Sequence, residues 1–149
     1  MRRGITLLEI LISMAILVVL LVITITAMNP GGQVATARNN QRTFHLETIE
    51  NAIRSNIADT RTGIFTCANG DIPTTTKRMA SDGGNYNIAP CLIPNYMDLM
   101  PHDPSASSSF WTDTSNYNTG YNVIKNASTG AVTVSAPYAE LGKNISVTR

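Results

Sequence analysis

The chain has 149 residues, which is enough for one modest domain beside an apolar segment. Charged residues make up 14% of the chain, well below the about 25% of ordinary soluble domains, and the formal net charge is +1. Because no basic block follows Arg3, the charge pattern excludes a protein that binds nucleic acid through a strong electrostatic surface.

An apolar segment runs from Ile5 to Met28 and contains a single charged residue, Glu9. As a helix this segment is roughly 36 Å long at about 1.5 Å per residue. A hydrocarbon core is about 30 Å thick, so the segment is long enough to cross it. We therefore expect residues 5–28 to form one membrane-spanning helix.

Glu9 is an unusual residue for a segment that serves only as an anchor. A charged side chain costs roughly 2.5–3.5 kcal/mol at the centre of a spanning helix and less toward its ends, and Leu at this position avoids that cost. An ionisable residue within a membrane-spanning helix suggests a functional site, so the group that pairs with it has to be identified.

The order of residues at the start of the chain resembles a known processing signal. The run Arg2-Arg3-Gly4-Ile5-Thr6-Leu7-Leu8-Glu9 and the apolar sequence after it are similar to the class III leader of type IV pilins and pseudopilins. The resemblance implies a leader over residues 1–4, which a prepilin peptidase removes by cutting between Gly4 and Ile5 and then methylating the Ile5 amine. Ile5 stands where the family usually has Phe.

The order of these residues can also be explained by electrostatics, without the resemblance. Cleavage creates a cationic amine on Ile5, next to helix N–H groups that lack partners, and a cation there is unfavourable. The carboxylate of Glu9 from another copy can neutralise that amine and so set the register between two helices, which is a hypothesis for this chain. The alternative is an ordinary signal anchor with a Glu near the interface.

The location of the protein in the cell is also predicted from the N-terminal end of the chain. Arg2 and Arg3 favour a cytoplasmic N-terminus, and the resemblance implies an inner-membrane protein with an extracytoplasmic head that later enters a cell-surface or periplasmic filament. Two cysteines, Cys67 and Cys91, lie in the head. A disulfide between them is permitted outside the cytoplasm and would stabilise by roughly 3–4 kcal/mol; two free thiols are the alternative.

A second helix is predicted after a break. Residues 29–32, Asn-Pro-Gly-Gly, combine the residues least suited to a helix interior, so we expect a helix-breaking hinge, with a plain linker as the alternative. Residues 33–62 then show an apolar stripe that marks an amphipathic helix with one face for a sheet. The stripe contains Leu46, Ile49, Ala52, Ile53 and Ile57, and the residues expected to lie mostly off it are Arg38, Asn39, Arg42, Glu47 and Glu50.

The head is predicted over residues 63–149. Residues 64–104 are rich in turn signals, with a short helix near 95–100, and Phe110-Trp111 lies in a loop, either folded onto the domain or exposed. Alternation predicts antiparallel strands at 117–124 and 131–138, with a third near 145–147. The predicted fold class is α+β, a long N-terminal helix packed on a small antiparallel C-terminal sheet, as in pilins.

The head also carries the residues considered for a metal. Met100-Pro101-His102-Asp103-Pro104 resembles the Leu-Pro-x-Asp-Pro motif of the major pseudopilin G-like branch, whose members bind calcium in the C-terminal loop. Asp98, Asp103 and Asp113 flank the corresponding region, but they form no compact acidic cluster in the sequence, so they are weak candidates and no cofactor is expected.

No catalytic motif appears in the sequence, so an enzyme is not expected. The resemblance implies a structural subunit of a type IV pilus or a type II secretion pseudopilus. Its implied partners are other copies of itself or related pilins, the prepilin peptidase, and an assembly ATPase and platform complex. The main alternative is a single-span, membrane-anchored extracytoplasmic binding module that never polymerises. An anchored hydrolase is disfavoured by the missing site motif.

Overall fold

The computed structural model describes residues 4–61 and 63–149, so residues 1–3 of the leader and Thr62, the predicted end of the second helix, lie outside it. Two compact units divide the chain, Met1–Ala35 and Thr36–Arg149. Helices and strands follow one another as α1 (Leu7–Met28), α2 (Pro30–Thr60), β1 (Lys77–Ala80), α3 (Ala89–Leu92), β2 (Phe110–Asp113), β3 (Asn116–Lys125), β4 (Val132–Ala136) and β5 (Ile145–Thr148). The predicted α+β class is confirmed.

The break between α1 and α2 is narrower than the predicted hinge over 29–32. Asn29 alone interrupts the helices, in the left-handed conformation with φ of 42°. Pro30 opens α2 directly, because its missing N–H and fixed φ suit the first position of a helix. Gly31 and Gly32 are therefore helical residues, and α2 ends at Thr60.

One face of α2 packs into the core of the head. Leu46, Ile49 and Ile53 are fully buried, in one cluster with β3 and β4 side chains such as Tyr121 and Val134. The predicted stripe is confirmed, because apolar residues at helical spacing gain free energy only when they are removed from water together.

The sheet is antiparallel and has five strands, ordered β1-β3-β4-β5, with β2 also paired to β3. Strand β3 is the longest, and Tyr117, Tyr121 and Val123 turn inward from it as the alternation predicted. Val132 and Val134 of β4 do the same. The strands predicted at 117–124, 131–138 and 145–147 are thus all present.

Two short strands and one helix differ from the predictions. Strands β1 and β2 lie in segments predicted to be irregular, and the short helix is α3 rather than residues 95–100. Both strands consist of four residues without a full alternation, and pairing with β3 holds them. Within β2, Trp111 packs on the core, with its ring 5.5 Å from that of Tyr117, whereas Phe110 stays 43% exposed.

A disulfide joins Cys67 to Cys91, so the alternative of two free thiols is wrong. It links the loop after α2 to α3, across a separation of 24 residues, and both cysteines pack against the apolar core. A cross-link of this span removes much of the conformational freedom of the unfolded loop, by about 3–4 kcal/mol on the chain-entropy model. The long irregular stretch of the head is therefore covalently closed.

Buried polar side chains on α2 are the largest departure from the prediction. Asn39, Arg42 and Glu50 were placed mostly off the buried stripe, and all three are buried. Arg42 forms a bidentate pair with Asp103, through Nε to Oδ2 at 2.8 Å and Nη2 to Oδ1 at 3.1 Å. Its Nη1 also donates to Glu140 Oε2 at 2.9 Å, and Arg38 contacts the same carboxylate. The opposite charges of Asp103 and Glu140 explain why Arg42 tolerates burial.

The loop that carries Asp103 is fixed to the sheet at the same point. The Asp103 amide donates to Thr119 O at 2.8 Å, and its Oδ1 accepts from the amides of Ser105 and Ala106. Gly120 makes this approach feasible: it has φ of 75°, and a Cβ there would lie 3.0 Å from the Asp103 Cβ. Only glycine fits this position without strain.

Removing one partner of the buried Arg42–Asp103 pair should lower the free energy of unfolding. Asp103→Ala leaves Arg42 charged and buried, so we expect the free energy of unfolding to fall by about 3–5 kcal/mol. Urea unfolding of the full chain in detergent measures this. The control is Asp98→Ala, which removes an exposed carboxylate and should change little. The variant Arg42→Met with Asp103→Leu should recover most of the loss; equal effects of Asp103→Ala and the control would contradict the prediction.

The same cluster makes stability depend on pH. Hydrogen bonds from Arg38, and then Arg42, lower the pKa of Glu140 to about 2. Burial opposes ionisation of Asp103, but the Arg42 pair and two backbone amides outweigh it and hold that pKa below its usual 3.8. Both groups thus stabilise the fold above about pH 4.5 and lose that contribution as pH falls toward 2.

Because of these two carboxylates, we expect the melting temperature to drop more steeply below pH 4.5 than between pH 7 and 5. Thermal unfolding across that range measures it. Glu140→Gln should be less stable than the parent at pH 7 and should show a smaller decline in acid, since one of the two carboxylates no longer titrates. If the melting temperature declines equally in the parent and in Glu140→Gln, Glu140 does not contribute to the pH dependence.

Candidate functional site

The surface of α1 is apolar on every side. No residue of this 22-residue helix is buried, and its Leu, Ile and Val side chains are exposed throughout. By length and composition α1 is the one helix of the described residues suited to cross a membrane. A helix that is hydrophobic all round requires an apolar environment, from lipid or from other helices. A shallow groove beside the small side chain of Ala15 offers a place for another helix to approach.

The predicted processing bond lies just before this helix. Ile5 is 73% exposed, and a Cβ at Gly4 would meet nothing within 4 Å. Thr6, in an extended conformation, is the N-cap: its hydroxyl accepts from the Glu9 amide at 3.3 Å. The bond between Gly4 and Ile5 is therefore exposed and outside regular structure.

The hydroxyl groups inside α1 bond to the backbone of the helix itself. Ser13, Thr24 and Thr26 donate to carbonyls three or four residues earlier in the helix. Thr6 accepts instead of donating, because it stands at the cap rather than within the helix. The pattern Thr6-x-x-Glu9, a capping-box signature, was the sequence signal for this role.

The Glu9 carboxylate has no partner among residues 4–61 and 63–149. Only its backbone takes part in hydrogen bonds within the described residues, through the Thr6 contact and through Ser13, whose hydroxyl donates to Glu9 O at 2.7 Å. Its place in the first turn is electrostatically favourable, since helix N-termini carry partial positive charge. It is the one charged side chain between Leu7 and Met28, so it remains available to a cation supplied from elsewhere.

Asn29 has two capping roles that the sequence analysis missed. It ends α1 in the left-handed conformation, which Asn adopts more readily than most residues, and it also caps α2. Its carbonyl accepts from the amides of Gly32 at 3.0 Å and Gln33 at 3.3 Å, and its side-chain oxygen accepts from Gly32 at 3.4 Å. Asn followed directly by Pro is a helix-start signal and identifies this position.

The three weak calcium candidates are not brought together. Asp103 is buried and its carboxylate is bound by Arg42, Asp113 accepts from the amide and hydroxyl of Ser115, and Asp98 is exposed. Within residues 4–61 and 63–149, no group of three or more His, Cys, Asp or Glu side chains is arranged to hold a metal ion. The three weak candidates therefore do not share a site, and the expectation that the chain carries no cofactor stays a prediction.

Comparison with known families gives one finding, at the N-terminus. A family model described as the prokaryotic N-terminal methylation motif matches residues 1–25. No curated protein and no solved structure matches the chain significantly. The match covers Gly4, Ile5, Glu9 and most of α1, so it supports a leader of the type IV pilin kind and a structural, non-enzymatic role. With the apolar α1, it indicates a chain anchored in a membrane by a single span.

Proposed function

We propose that the chain is a structural subunit of a pilus-like filament, either a type IV pilus or a type II secretion pseudopilus. The observation that carries this proposal is that Glu9, without a side-chain partner in the part of the chain that the structure describes, lies in an exposed apolar helix just after an accessible Gly4–Ile5 bond. The methylation motif over residues 1–25 supports it independently.

The first step is processing. A peptidase binds its substrate as an extended chain, and the segment before α1 is extended at Thr6 and exposed at Gly4 and Ile5. Cleavage between Gly4 and Ile5 removes Arg2 and Arg3 and gives Ile5 a cationic amine, which is then methylated. Loss of the two arginines also removes the charges that favour a cytoplasmic N-terminus.

The second step is polymerisation through α1. In the membrane the lipid covers the apolar helix, and in a filament the α1 helices of other copies replace that lipid. Glu9 of one copy then pairs with the Ile5 amine of a neighbour, which neutralises two charges that are each unfavourable in an apolar setting. Because the pair forms at one relative height of the two helices, it fixes the register between subunits.

The head forms the outer surface of the filament. The Cys67–Cys91 disulfide supports an extracytoplasmic location, because such bonds persist in oxidising compartments. The loop at residues 100–104 favours the pseudopilin G-like branch, whereas the disulfide is more typical of pili. Deletion of the gene separates the two: loss of protein secretion indicates a pseudopilus, and loss of twitching or DNA uptake indicates a pilus.

Intact mass of the mature protein tests the processing step. We expect the chain purified from membranes to lack residues 1–4 and to carry one methyl group on Ile5. The control is a Gly4→Val variant, which should keep its full length because a branched side chain at the cut obstructs the peptidase. Recovery of the parent chain at full length, without a methyl group, would contradict the proposal.

Assembly tests the role of Glu9. We expect Glu9→Leu to be processed normally but to yield at least about tenfold fewer filaments by electron microscopy, because the neighbour's amine loses its counter-charge. The matched control is Glu47→Leu, which removes an exposed acid on α2 and should assemble as the parent does. Normal assembly of Glu9→Leu would favour the non-polymerising binding module instead.

A further inference from the structure

Glu50 on α2 is a buried acid without a hydrogen bond. Its side chain is 1% exposed, and neither carboxylate oxygen has a hydrogen-bond partner among the described residues. The nearest cation is Arg149, whose Nη1 lies 3.5 Å from Oε2. That guanidinium is 47% exposed and donates to Asn51 Oδ1 at 3.3 Å. This ion pair supplies a counter-charge but no hydrogen bond, and buried polar groups are almost always hydrogen-bonded, so the carboxylate can accept a further donor.

A cavity of about 360 Å³ opens beside Glu50, and we refer to it as the Glu50 cavity. Its walls are apolar and its rim carries two cations. The walls are formed by Ile53, Ile57, Ala58, Gly130 and Val132, and the rim by Arg54 and Arg149. An alkyl stem that ends in an ammonium group fits this combination, because the stem contacts the walls while the ammonium reaches the acid. A lysine side chain has that chemistry.

The chain itself presents such a lysine on an exposed turn. Lys143 lies in the connection between β4 and β5, and its side chain makes no hydrogen bond or ion pair with residues 4–61 or 63–149. Leu141 and Gly142 beside it both have positive φ, which turns the chain sharply, and Leu141 is 57% exposed. The turn therefore offers a free cation together with an apolar side chain.

The lysine and the cavity lie at opposite ends of the head. The β4–β5 ladder has the pair Ala136 and Ile145 at the Lys143 end, and Val132 bonded to Arg149 at the cavity end. Along α2, Glu140 contacts Arg38, whereas the cavity begins at Glu50, about 18 Å further along the helix axis. Lys143 therefore cannot reach the cavity of its own copy, so it could enter a Glu50 cavity only in another copy.

We infer that Lys143 of one copy inserts into the Glu50 cavity of the next copy and pairs with the buried carboxylate. This inference rests on the proposed filament function. The contact joins two different surfaces, so it repeats without closing and suits a filament. Leu141 adds an apolar contact to the cavity wall. Arg54 and Arg149 oppose the incoming cation, which makes the contact weak between two isolated copies and effective only when α1 also holds them together.

Cross-linking tests the contact without removing either charge. In Ala58→Cys with Leu141→Cys, one new cysteine lies on the cavity wall and the other lies two residues from Lys143. We expect filaments oxidised with copper phenanthroline and oxygen to give a ladder of covalent multimers on a non-reducing gel. Each single variant is the control and should give no ladder beyond a dimer. Filaments of the double variant that stay monomeric on the gel would overturn the inference.

Coupling between the two charges gives a second test. We expect Lys143→Gln and Glu50→Gln each to lower filament yield about tenfold, and the combined variant to lower it no further, because both remove one pair. Lys77→Gln, a lysine on β1 that donates to Gly84 O, is the matched control and should assemble normally. Arg54→Gln should raise the yield. Additive losses, or no loss in Lys143→Gln, would overturn the inference.

The outcomes separate this inference from the proposed function. Normal filaments from Lys143→Gln together with few from Glu9→Leu would reject the Glu50 cavity as a contact and leave the filament role intact. Normal assembly of Glu9→Leu would reject the filament role as proposed. If thermal unfolding shows that Glu50→Gln fails to fold, the cross-link and the Lys143→Gln result decide, since neither alters Glu50.

Discussion

The head depends on one buried charge pair, Arg42 with Asp103. Arg42 lies on α2 and Asp103 lies in the loop before β2, 61 residues later, and both side chains are fully buried. Neither charge is tolerable in that place without the other, so the helix and the loop become buried together. Glu140 extends the cluster to the connection between β4 and β5 through its contacts with Arg38 and Arg42. Three segments distant in sequence are thereby fixed around one guanidinium.

Much of the head could be predicted because its signals are local. The apolar stripe of α2 and the alternation in β3 and β4 depend only on the period of helix and strand. The polar residues of α2 could not be placed in this way, because Arg42 and Glu50 are ordinary surface residues until a partner or a cavity is known. A signal was present nonetheless: Ala35, Asn39 and Arg42 continue the spacing of the buried residues Leu46, Ile49 and Ile53 toward the start of α2.

At the N-terminal site, too, some features could be predicted from the sequence and others could not. Gly4, Glu9 and the length of the apolar run could be identified from sequence, since the leader is a short pattern at fixed offsets. The caps Thr6 and Asn29 are also local, and their signatures were present, but capping competes with other roles for Thr and Asn and only backbone geometry distinguishes them. The partner of Glu9 that we propose could not be identified from the sequence or from the structure of one chain, because a contact with another copy involves residues outside that chain.

Glu9 and Glu50 are both acids in places where an unpaired charge is unfavourable. Asp71 pairs with Lys125, and Asp103 and Glu140 pair with arginines, so the chain does supply cations to acids that its own fold can satisfy. Glu9 lies in an apolar helix and Glu50 in a buried pocket, and neither obtains a hydrogen bond within the described residues. Glu50 has Arg149 as a nearby cation but no hydrogen-bond donor, and Glu9 has neither within the described residues. In the filament that we propose, a second copy would supply the Ile5 amine to Glu9 and Lys143 to Glu50, so that both acids would direct how the next copy is added.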